Sequence, residues 1–121
     1  MKTILIAEPA SAPRDLLVHC LKDDYTLLTA TDGTAAVELA TRPEPDLIFI
    51  ALPLPGLDGA AATRQIKAQR RLHDIPIVAL TTAAVSEEAA GARAAGCDDT
   101  LGKPFDADQL YATVRKFLGG G

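Results

Sequence analysis

Three five-residue runs, Thr3-Ile-Leu-Ile-Ala7, Leu47-Ile-Phe-Ile-Ala51 and Ile77-Val-Ala-Leu-Thr81, are almost wholly apolar and alternate with stretches of helical spacing. Such a strand has no polar face to give to water, so other elements must cover both of its faces. An open parallel sheet with helices on either side meets that demand, and it places the chain in the α/β class. Two more polar runs, Tyr25 to Ala30 and roughly Asp99 to Gly102, complete five rounds and read as edge strands. With 121 residues, 48% of them hydrophobic, the chain is read as one domain over 1–121 around a single core.

Local signals agree with that division. A helix from about Pro13 to Lys22 gathers Leu16, Leu17, Cys20 and Leu21, and one from Asp106 to Leu118 gathers Leu110, Val114, Phe117 and Leu118. Asp106 with Gln109 three residues on is a helix-start pattern; Ser11 and Ser86 read as helix caps, the latter ahead of Glu87 and Glu88. Asp32-Gly33 and Pro55-Gly56 read as turns, Pro43 and Pro45 break the chain before the third strand, and Gly119-Gly120-Gly121 ends the last helix. No repeat, linker or low-complexity segment interrupts the pattern.

Charge and cysteine content narrow the function classes. A net charge of -4, with basic clusters no longer than Arg70-Arg71, argues against a nucleic-acid partner, whose phosphates demand gathered Lys and Arg. The longest apolar stretches are strand length and follow no basic N-terminal region, so neither secretion nor membrane spanning is indicated and the cytoplasm is expected. Cys20 and Cys97 are isolated thiols without ligand spacing, expected to form neither a disulfide nor a metal site. An enzyme would need a nucleophile with its base, a metal set or a glycine-rich phosphate loop; Glu8-Pro-Ala-Ser-Ala-Pro13 after the first strand offers none. No enzymatic activity is expected, and a flavin- or nucleotide-binding module remains the alternative on fold analogy.

In open parallel sheets ligands bind beyond the carboxyl ends of the strands. Four segments that end there, in order, are Thr3-Ile-Leu-Ile-Ala-Glu8-Pro9, Ala51-Leu-Pro-Leu-Pro-Gly-Leu-Asp-Gly59, Ile77-Val-Ala-Leu-Thr81 and Gly96-Cys-Asp-Asp-Thr-Leu-Gly-Lys103-Pro104-Phe105. Together they resemble, over almost the whole chain, the chemotaxis-regulator-like receiver domains of bacterial response regulators. The resemblance implies a flavodoxin-like five-stranded sandwich of strand order 2-1-3-4-5, with two helices on one face and three on the other.

In that family an acidic pair and an acceptor aspartate hold Mg²⁺, and the aspartate takes a phosphoryl group. Ala51 occupies the acceptor position, and a methyl group can neither attack phosphorus nor ligate a metal. The acidic pair reads Glu8 and Pro9, and proline brings no ligand. One carboxylate, the Pro53 carbonyl and water make a poor Mg²⁺ site, so no cofactor is expected. Thr81 and Lys103 match the hydroxyl and ammonium that contact the phosphoryl group; without an acceptor, Lys103 is expected to pair with Glu8 and Thr81 to serve a local backbone group. The resemblance implies a cis bond before Pro104. Thr82 replaces a very small residue, and Thr100 replaces the aromatic side chain that follows the phosphorylated state. Departures at Pro9, Ala51, Thr82 and Thr100 favour a natural pseudo-receiver over one engineered replacement.

The resulting expectation is a phosphorylation-independent signalling module that works by protein contact. Its expected surface is the fourth helix, fifth strand and fifth helix, with Glu87, Glu88, Arg93, Lys103, Asp108, Tyr111 and Arg115, and a homodimer is open. The alternative is a receiver that still switches, by an unconventional acceptor or by binding a small anion near Glu8, Thr81 and Lys103. Asp46, Asp58, Asp98 and Asp99 are the rival acceptors, none expected beside Lys103, and His19 and His73 are read as surface or loop residues.

Overall fold

A computed structural model describes residues 1–41, 44–82 and 86–119, with the backbone alone for 86–88. Pro43, Gly120, Gly121 and the side chains of Ser86, Glu87 and Glu88 therefore lie outside the described residues. Strands and helices alternate: β1 (Thr3–Ala7), α1 (Ser11–Leu21), β2 (Thr26–Ala30), α2 (Gly33–Leu39), β3 (Leu47–Ala51), α3 (Gly59–Lys67), β4 (Ile77–Thr81), α4 (Ser86–Ala95), β5 (Asp99–Gly102) and α5 (Ala107–Leu118). One turn of 3₁₀ helix, Arg70–Leu72, leads into β4.

The sheet is parallel throughout, in the order β2-β1-β3-β4-β5, with α1 and α5 together on one face and α2, α3 and α4 on the other. This is the flavodoxin-like order. All five residues of β3 and of β4 are buried, as an apolar strand covered on both faces requires, whereas in the edge strand β2 only Ala30 is buried. Phe49, Ile48, Ile50, Ile4, Leu5, Ile6 and Ile77 have no exposed surface, and Leu17, Leu21, Ile66, Leu110 and Val114 close over them from the helices. Each such aliphatic side chain contributes about 1.5–3 kcal/mol on burial.

Several boundaries differ from the sequence reading. β2 begins at Thr26, because the Tyr25 N–H turns back to Leu21 O at 3.0 Å and closes α1. Ser11 is the first residue of α1 and caps nothing; the N-cap is Ala10, without a side-chain bond. Asp32-Gly33 is not a turn but the start of α2, with the Asp32 carboxylate accepting from Ala35 N at 2.8 Å. Asp106 and Gln109 form the full reciprocal capping box at 2.8 and 2.9 Å.

Candidate functional site at the carboxyl edge

Strand register brings four chain ends together. Ala7 lies beside Ile50, Ala51 beside Leu80, and Thr81 beside Gly102, so the segments after β1, β3, β4 and β5 leave the sheet side by side. Glu8 follows β1 directly; its N–H donates to Ala30 O at 3.0 Å, and its side chain has essentially no contact with solvent. Oε2 accepts from Ala10 N at 3.0 Å, while Oε1 makes no directed hydrogen bond and faces the ammonium of Lys103 as an ion pair. The Lys103 N–H donates to Thr81 O at 2.8 Å, which ties the residue to the end of β4, and its peptide bond to Pro104 is cis.

Pro9 exposes a carbonyl that no strand uses. Arg14, one turn into α1, donates through Nη1 to Glu8 O at 3.0 Å and Pro9 O at 3.1 Å, tying the loop to the helix. Sequence reasoning missed Arg14, because no local pattern ties an arginine inside a helix to carbonyls five and six residues before it.

Ala51 ends β3 with its methyl group fully buried. The next turn is held close to it. Gly59 N donates to Leu52 O at 2.7 Å, and a Cβ at Gly59 would stand 2.1 Å from Ala51 O, so only glycine fits there. Thr81 is buried at the end of β4, Thr82 is exposed just beyond it, and Thr100 is half-buried in β5, two residues short of the edge. The site thus brings together Glu8, Pro9, Ala51, Thr81 and Lys103, and leaves Thr100 outside. Its charge balance is one buried carboxylate against one ammonium. Such a pair is held by mutual need, since either charge alone in that place would be costly.

The rival carboxylates lie elsewhere. Asp46 and Asp98 stand at the opposite edge, where their Oδ2 atoms accept from Thr3 N and Ile77 N, both at 2.8 Å. Asp58 caps α3 through Ala61 N at 2.8 Å. Asp99 starts β5; burial opposes its charge, but hydrogen bonds from Lys116 and Thr100 N–H, with the charges of Lys116 and Arg93, hold its carboxyl below the usual range. His19 is exposed in α1, and His73 Nδ1 lies 3.1 Å from Lys67 O in the loop before β4. Burial pushes the Cys97 thiol up, against the contact with Thr63. Among the described residues no group of three His, Cys, Asp or Glu could hold a metal ion.

The expected contact face needs correction. Tyr111 donates to Cys20 O at 3.2 Å, which turns its side of α5 toward α1 rather than α4. Asp108 and Arg115, three residues before and four after, share that side by helical spacing. The side toward β5 carries Lys116, paired with Asp99 at 2.9 Å. Lys103 belongs to the site and not to either face.

A model of the response regulator receiver domain matches residues 4–115. The chain belongs to this family. It is 34% identical over 119 residues to the DNA-binding dual master transcriptional regulator RpaA of Synechocystis sp., covering 98% of this chain and 49% of that protein. The chain therefore spans about half the length of that relative. Among solved structures it is similar to the receiver domain of the sensor histidine kinase PA1611 of Pseudomonas aeruginosa, crystallised with magnesium in its active-site cleft, at TM-score 0.90 and 32% identity over 98% of both chains. It is also similar to the chemotaxis protein CheY4 of Vibrio cholerae, at TM-score 0.91 and 28% identity over 98% of this chain and 99% of that one. Among the described residues no helix is long and apolar enough to cross a membrane.

Proposed function

We propose that this receiver works without aspartyl phosphorylation, as a cytoplasmic signalling module that acts by protein contact and catalyses no reaction. The observation that carries this reading is the buried methyl group of Ala51 at the end of β3, at the position the family resemblance gives to the acceptor. Phosphoryl transfer needs a nucleophilic oxygen at that place and an electrophile made reactive by charge neutralisation. Neither requirement finds its residues.

A receiver-type Mg²⁺ does not fit the donor set. Three carboxylates are reduced to Glu8, and its two oxygens already face Lys103 and Ala10 N. A cation entering here would displace the ammonium from a buried carboxylate and would still lack the anionic ligands that offset dehydration. The same pairing weighs against a free anion pocket, because Lys103 is neutralised before an anion arrives. Signalling partners are assigned to the α4–β5–α5 face, where Arg93, Asp99 and Lys116 present mixed charge.

Incubation with acetyl phosphate and Mg²⁺, followed by intact-mass measurement, tests the reading. The natural chain is expected to gain no phosphoryl group, while its Pro9→Asp, Ala51→Asp double variant gains one. A phosphorylated natural chain would end the proposal and turn the search to another acceptor.

A further inference from the structure

We draw no further inference here: the strongest candidate, the apolar groove between the start of α1 and the segment after β5, carries nothing, because Glu8 already neutralises the one cation in its wall, Lys103, and nothing among the described residues shows what covers it.

Discussion

At the amino edge of the sheet, Asp46 and Asp98 each exchange two bonds with the first residue of a strand. Asp46 N donates to Thr3 O at 2.7 Å and its carboxylate accepts from Thr3 N; Asp98 N donates to Ile77 O at 2.8 Å and its carboxylate accepts from Ile77 N. Lys67 adds a cationic clamp, donating to His73 O, Ile75 O and Asp98 Oδ2. At the carboxyl edge, Ala51 and Pro9 contribute no charge, and the remaining Glu8 faces Lys103. The amino edge spends its carboxylates on starting strands, which any chain of this fold needs. The carboxyl edge holds one buried carboxylate matched to one ammonium, and that pair starts no strand. The comparison sets the strand-starting bonds of the amino edge against the single ion pair of the carboxyl edge.

The largest expected effect breaks the carboxyl-edge pair. Lys103→Met strands a buried carboxylate and should cost about 3 kcal/mol in urea unfolding, most of it recovered in the Glu8→Gln, Lys103→Met double variant. A cost-free single variant would mean that Glu8 does not depend on Lys103. Next in size, Asp98→Ala removes the acceptor of Ile77 N and one of three acceptors of Lys67, and should cost about 2 kcal/mol by the same measurement. Were it neutral, the amino edge would not be the structural edge. Asp58→Ala should cost about 1 kcal/mol through the lost α3 cap, whereas Ser11→Ala should leave the thermal midpoint unchanged, because Ser11 caps nothing.

The smallest effect is a matter of pH. The Asp99 carboxyl is lower in the folded chain than its unfolded value near ~3.9, so its contribution is complete above that value and fades as acid approaches the folded one. With Lys116 largely exposed, the pair contributes about 0.3 kcal/mol. Acid unfolding of Asp99→Asn against the natural chain should differ by that amount above pH ~4 and converge below it. A larger difference would show that the α4–β5–α5 face is held by charge.

The buried strands were legible because Leu47–Ala51 and Ile77–Thr81 carry their burial in their composition. The site residues were legible as positions at strand ends, since register follows from which strands neighbour which. Less visible were features set by phase or by distant partners. The two exposed sides of α5 are both polar, so nothing local told that Tyr111 meets Cys20 while Lys116 meets Asp99. The Lys67 clamp joins residues 31 positions apart and has no local pattern. The seven-residue α2 was hidden behind Asp32-Gly33, a pair that serves equally as turn or helix start. The groove beside Lys103 arises from packing between α1 and the residues after β5, which no single segment encodes.

The most direct test of the central claim is a two-dimensional amide NMR titration with Mg²⁺ and then beryllofluoride. It compares the natural chain with its Pro9→Asp, Ala51→Asp double variant. The account predicts unchanged spectra for the natural chain and progressive shifts around residues 8, 51, 81 and 103 for the variant, meaning an intact scaffold from which the phosphoryl chemistry has been removed. Localised shifts in the natural chain around Glu8, Thr81 and Lys103 would contradict it and establish a surviving ligand-gated switch.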